Sequence, residues 1–241
     1  MPAPMAISEL RKLLDELPGW LTHEEGETLY RLATACTGTG VIVEIGSWRG
    51  KSTTCLGLGS KAGKRVPIYA IDPHSDHTFG DFQRNMEAAG IADLVTPLPG
   101  RSQELAAGFD QPIELLFIDG AHQYELVLED FERWVPKVVE GGVVAMHDTT
   151  WFEGPRRVAD ELIFKSRRFK DARYVFSSTT VATKVAENTA ADRLRNRFGL
   201  LVKRSVVLTR RVADKDRLPP SVQRLGRRVL RKIQSAPGRQ A

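Results

Sequence analysis

No run in this chain approaches the roughly 20 consecutive apolar residues of a membrane-crossing helix, and the N-terminus lacks the 7–15-residue apolar core of a secretory signal. Both absences lead to the expectation of a cytoplasmic protein. Cysteine is scarce: Cys36 and Cys55 are the only two, without CxxC or Cys/His spacing, which excludes a disulfide framework and a structural zinc site as sequence-level readings. There is no internal repeat. Charge of one sign is scarce at one end of the chain. Residues 185–241 hold 15 Lys+Arg against 4 Asp+Glu, whereas residues 1–184 hold 20 against 26. The basic C-terminal stretch is therefore a separate electrostatic object.

What is present is alternation. Short apolar runs at 41–46 (VIVEIG), 66–71 (VPIYAI), 94–98, 113–118 (IELLFI) and 142–147 (GVVAMH) have the character of strands buried on both faces. Helical patterns at about 51–62, 80–89, 101–108 and 123–138 separate them. This order predicts right-handed βαβ crossovers and an α/β fold: a Rossmann-like, doubly wound, seven-stranded sheet, mostly parallel, closed by an antiparallel strand from 172–185. Two amphipathic helices precede it, the second opened by Thr22 with Glu25 three residues on, a capping-box spacing. The expected division is a helical segment over 1–38, a catalytic domain over 39–184 and a basic extension over 185–241. Within that extension, Val222, Leu225, Val229 and Ile233 share one helical face among arginines and lysines. That pattern suits contact with a membrane surface, a partner or a nucleic acid.

In doubly wound sheets ligands bind beyond the carboxyl ends of the strands, and the polar residues of interest gather there. The first end, EIGSWRGKST, is one residue short of a phosphate-binding P-loop and lacks the GxGxxG dinucleotide fingerprint. A glycine turn with Glu44 two residues before Gly46 suits a ligand carrying an amine or sulfonium cation. Asp72, at the second strand end, has the place and type of an acid that holds ribose hydroxyls. Together they indicate a nucleoside ligand without a phosphate requirement, a description that S-adenosylmethionine fits.

The fourth strand ends in FIDGAHQYE and the fifth in MHD. Neighbouring strands lie about 4.8 Å apart, so Asp119 faces His147 and Asp148. This trio can hold a divalent cation, Mg2+ by its oxygens, with His147 admitting Mn2+ or a softer ion. His122, three residues past Asp119, is the candidate general base, since histidine titrates near neutrality. Asp130 reads as a helix-surface charge, and His74, Asp76 and His77 as a loop over the site.

In combination, VIVEIGSWRGKST, YAIDPHSDHTFGDFQRNMEAAGI, LLFIDGAHQYELVLEDFERWVPKVVEGGVVAMHD and GPRRVADEL resemble the class I S-adenosylmethionine-dependent methyltransferases. The likeness is to their small-molecule O-methyltransferase branch, which includes sugar and macrolide-sugar enzymes and is related to the catechol type. The resemblance covers about 17–184. It implies that Glu44, Gly46, Ser47, Gly50 and Ser52 surround the methionine part, that Asp72 holds the ribose, that Ser102 lies near the adenine, and that Asp119 serves both cofactor and metal. It also implies metal ligation by His147 and Asp148 and a base at His122. The metal-dependent relatives usually carry an acid or amide at the position of His147, so His147 is also a candidate second catalytic residue or substrate contact. The acceptor implied is a hydroxyl of a sugar, polysaccharide or glycosylated small molecule. Nucleic acid is not the expected partner, and a homodimer is the expected assembly. Two other classes stay open on the residues alone: a P-loop-like kinase or nucleotidase, from GKST, and an RNA-binding methyltransferase using the basic tail.

Overall fold

The computed structural model describes residues 5–213. The face formed by Val222, Leu225, Val229 and Ile233 lies outside the described residues. Two helices come first, α1 (Ile7–Glu16) and α2 (His23–Ala35). α2 begins where the sequence predicts: Thr22 Oγ1 accepts from the Glu25 N–H while the Glu25 side chain accepts from the Thr22 N–H, closing the capping box.

The body then alternates β1 (Val41–Ile45), α3 (Lys51–Ala62), β2 (Ile68–Asp72), α4 (Phe79–Ala88), β3 (Val95–Pro99), α5 (Ser102–Leu105), β4 (Ile113–Ile118), α6 (Tyr124–Trp134) and β5 (Val138–Met146). α7 (Glu153–Val158) runs into a π-helical turn, Ala159–Phe164, and is followed by β6 (Phe169–Val175), β7 (Thr179–Lys184) and α8 (Ala190–Ala213). The seven strands are ordered β3-β2-β1-β4-β5-β7-β6. β1 to β5 pair in parallel; β7 runs antiparallel to both β5 and β6. The predicted doubly wound sheet with its closing antiparallel pair is therefore the fold.

Both faces of the sheet are covered, which is why its strands read as continuous apolar runs. On one face Val43, Leu116, Val144 and Ala182 pack beneath Phe131, Trp134 and Phe164. On the other, Ile42, Ile68, Leu115 and Phe117 pack beneath Leu56, and Leu10, Leu14, Leu29 and Tyr30 of the N-terminal helices belong to the same cluster. α8 joins the first cluster through Leu200, so the start of the basic stretch is built into the body.

The order reverses between β1 and β4, and there the chain needs glycine. Gly46 has φ of +90°, and a Cβ on it would stand 2.1 Å from the carbonyl oxygen of Asp119. Only glycine lets the turn after β1 lie against the end of β4. Backbone bonds continue past the strand ends, from Asp119 N to Ile45 O and from His147 N to Ile118 O. They bring Gly46, Asp119 and His147 onto one edge.

Candidate active site

Two connected hollows open at that edge. The smaller, about 400 Å3, is lined by Asp72, Asp76, Gly100, Ser102, Gln103 and Asp130. The larger, about 860 Å3, is lined by Ser47, Ser52, His122, His147, Asp148 and the aromatic rings Trp20, Trp48, Trp151 and Phe152. Gly46, Trp48, Asp119 and Gly120 border both.

In the smaller hollow, Asp72 is fixed by its own neighbourhood: Oδ2 accepts from the Trp48 N–H at 2.9 Å and Oδ1 from the His74 N–H at 2.7 Å. Asp72 lines the hollow, and a carboxylate has lone pairs beyond those two bonds with which to accept from diol hydroxyls. Ser102 Oγ donates to Asp130 Oδ1 at 2.5 Å, and Gln103 Nε2 donates to the same oxygen at 2.7 Å. Asp130 is thus no helix-surface charge. It is buried, and that burial pushes its carboxyl up to about 6 against the lowering effect of Ser102. In the fold Asp130 lies on the side of α6 that carries Val127 and Phe131, both buried. His74 is drawn inward, bonded to Thr78 Oγ1 at 2.9 Å and packed on Phe79 and Phe82, whereas Asp76 reaches the hollow.

Glu44 does not face either hollow. It is fully buried behind the turn, where Ser52 Oγ and Thr53 Oγ1 each donate to its carboxylate at 2.5 Å. Desolvation pushes its pKa up to about 8, more than those two bonds lower it. Glu44 clamps the first turn of α3 and so sets the position of Ser52, which does line the larger hollow. Ser47 lines it too, its hydroxyl buried and without a hydrogen-bond partner among the described residues. Gly50, with φ of +86°, caps α3 in the left-handed conformation. Lys51, the residue that raised a P-loop, donates to the carbonyl of Gly19 at 3.2 Å, and both line the larger hollow.

The larger hollow holds the titratable cluster. His147 is buried, with Nδ1 3.1 Å from Asp119 Oδ1 and 3.5 Å from Asp148 Oδ1, and Nε2 3.4 Å from Glu25 Oε1. Burial alone would lower its pKa; the three carboxylates outweigh that and hold it well above the ordinary histidine value. Burial likewise works to raise Glu25, but His147 and Thr22 hold its carboxyl down at about 2. Glu25 is the residue beside this cluster that sequence reasoning missed. Its capping-box spacing accounts for one oxygen, while the other accepts from the Ser178 N–H at 2.7 Å and Thr179 Oγ1 at 3.0 Å. His122 stands at the hollow's wall, Nε2 2.8 Å from Asp148 Oδ2, its ring stacked on Phe152 at 3.8 Å and 8°.

Asp119, His147 and Asp148 offer one ligand atom each within 4.8 Å of one another. They fit a divalent ion on a second ground. A metal-binding histidine ordinarily turns its other ring nitrogen to a carboxylate, and His147 directs Nδ1 to the two aspartates and Nε2 to Glu25.

A doubly wound sheet with a nucleoside-sized hollow at its switch point, joined to a second hollow at a strand-end glycine, defines the class. The fold is the Rossmann-like methyltransferase fold. Residues 43–149 match the family described as "Methyltransferase domain". Among solved structures it resembles the O-methyltransferase TomG of Streptomyces achromogenes, involved in tomaymycin synthesis (TM-score 0.57, 18% identity, 75% of this chain and 89% of that one). It also resembles an O-methyltransferase of Bacillus cereus in complex with S-adenosylhomocysteine (0.55, 20%, 74% and 90%). An rRNA methylase of Streptococcus thermophilus shares the same fold (0.53, 16%, 69% and 99%). A 40-residue stretch is 48% identical to uncharacterized protein y4gI of Sinorhizobium fredii; it spans 17% of this chain and 4% of that protein.

Proposed function

We propose that this enzyme transfers a methyl group from S-adenosylmethionine to a hydroxyl of a sugar, polysaccharide or glycosylated small molecule, assisted by a divalent cation. One observation carries the reading: the hollow suited to a nucleoside and the hollow holding His122 meet at Gly46, Asp119 and Gly120. A donor lying across that border presents its sulfonium methyl to the histidine side.

Asp72 accepts from the ribose hydroxyls, and Ser102, held by Asp130, borders the base. Ser47 and Ser52 offer hydroxyls to the polar end of the cofactor, whose bound form supplies an electrophilic methyl. Asp119, His147 and Asp148 would hold Mg2+ or Mn2+, which acidifies and orients an acceptor hydroxyl. His122 donates through Nε2 to Asp148, so Nδ1 carries the lone pair that takes the acceptor's proton. Trp20, Trp48, Trp151 and Phe152 wall the larger hollow. Flat apolar rings beside a polar cluster suit the faces of a sugar better than an extended chain.

Lys51, committed to Gly19, and the short glycine turn speak against the kinase alternative. Calorimetric titration with S-adenosylhomocysteine, with and without Mg2+, tests the proposal. Binding of that ligand is expected, and the absence of heat would overturn it. Tight binding of ATP in its place would restore the kinase reading.

A further inference from the structure

α8 has two unlike faces. Towards the body it buries Asn196, Leu200, Lys203 and Val206. Asn196 bonds the backbone of Phe169 and Ala172, and Lys203 Nζ lies 2.8 Å from Asp160 Oδ1. Away from the body, Leu194, Phe198, Leu201 and Leu208 are 71, 68, 64 and 63% exposed. Their spacing of four, three and seven residues places them along one line of the helix, opposite the buried face. A soluble surface scatters large apolar side chains singly; a continuous line of four on a helix marks an interaction surface.

Charge decides what it meets. The stripe is flanked by exposed Arg195, Arg197 and Arg204. Beside it a cleft of about 300 Å3 is lined by Arg156, Asp160, Lys203, Arg204 and Leu208. Its three cations face one carboxylate. Lys203 and Arg204 share Asp160, at 2.8 and 3.3 Å, and among the described residues Arg156 has no ion pair. The chain beyond α8 continues strongly basic in sequence. A second copy of this helix would bring like charges together along the seam, and an RNA would leave the apolar line facing water. A bilayer bearing anionic headgroups satisfies both features, with the apolar side chains in the acyl boundary and the arginines at the phosphates.

We propose that α8 is a membrane-surface helix. Its stripe of Leu194, Phe198, Leu201 and Leu208 seats on an anionic bilayer, with the Arg156–Lys203–Arg204 cleft beside it to receive a headgroup. The helix lies in the interface and does not cross the membrane: its arginines exclude a span, and among the described residues no helix is long and apolar enough for one.

Flotation of the full chain with vesicles tests this, using phosphatidylcholine alone or mixed with phosphatidylglycerol. The wild type is expected to float with the mixed vesicles and not with phosphatidylcholine. Phe198→Ser/Leu201→Ser keeps every charge, so its partition should fall by about tenfold or more through lost apolar burial alone. Leu194→Ser/Leu208→Ser, equally exposed, should fall in the same way, and each variant should keep the wild-type melting temperature, which separates docking from folding. Three results would overturn the proposal. Flotation could be unchanged in both variants, which would leave the basic C-terminal residues as the whole cause. The wild type could fail to float with any vesicle. Or the variants could convert a dimer to a monomer without any vesicle binding, which would make the stripe a subunit contact.

Discussion

His147 Nε2 lies 3.4 Å from Glu25 Oε1, so a helix that precedes the sheet supports a side chain at the end of its fifth strand. The same carboxylate accepts from Ser178 N and Thr179 Oγ1 at the start of β7. One buried acid therefore joins three parts of the chain. Glu25→Gln keeps the size and removes the charge. It should cost about 1–3 kcal/mol in urea unfolding and weaken Mn2+ binding by roughly 10–100-fold, as loss of a carboxylate behind a metal-bound histidine does. Calorimetry with Mn2+ alone provides the check, and unchanged metal affinity would mean that Glu25 has only a structural role.

His122 touches the site through Asp148 and Phe152, not through the cofactor hollow. His122→Ala should lower kcat by about 10²–10⁴, the usual contribution of a general base. Affinity for S-adenosylhomocysteine should stay within about twofold, since no cofactor contact is removed. A variant that loses cofactor binding and turnover together would remove His122 from the role of base.

Gly46→Ala combines two penalties, a left-handed backbone and a Cβ 2.1 Å from a carbonyl oxygen. A loss of about 3 kcal/mol or more is expected. Gly38 has nearly the same φ, +89°, with nothing within 4 Å of a Cβ, so Gly38→Ala should cost only about 1 kcal/mol. Equal losses in denaturant titrations would show that the approach to Asp119 is looser than described.

Glu44, with a folded pKa raised from 4.5 to about 8, makes a prediction about pH. Between those values the folded chain keeps a proton that the unfolded chain releases, so the contribution of Glu44 to stability falls as pH rises from 4.5 to 8. Glu44→Gln cannot titrate. Its stability relative to the wild type should therefore climb across that window, as read from urea midpoints at successive pH values. A difference independent of pH would contradict a protonated Glu44.

Much of this was legible in the order of residues. Alternating apolar runs determined the doubly wound sheet, because strands buried on both faces must be apolar throughout and helices between them must be amphipathic. FIDGAH and MHD carried their own positions, since neighbouring parallel strands end side by side. Glu44 and Asp130 were not legible in the same way. An acid beside a glycine turn and an acid on a helix look alike in sequence whether they face solvent, ligand or core. Only the packed structure settles it, by surrounding Glu44 with Ser52 and Thr53 and Asp130 with Ser102 and Gln103.

The sequence by itself determined the fold class, the edge on which the candidate site lies and the residue types gathered there, because these follow from local periodicity and from chain-adjacent turns. The tertiary structure alone decided which carboxylates turn inward and that Glu25 stands behind His147. It also decided that α8 leaves an apolar line facing outward, as each of these depends on contacts between segments far apart in the chain.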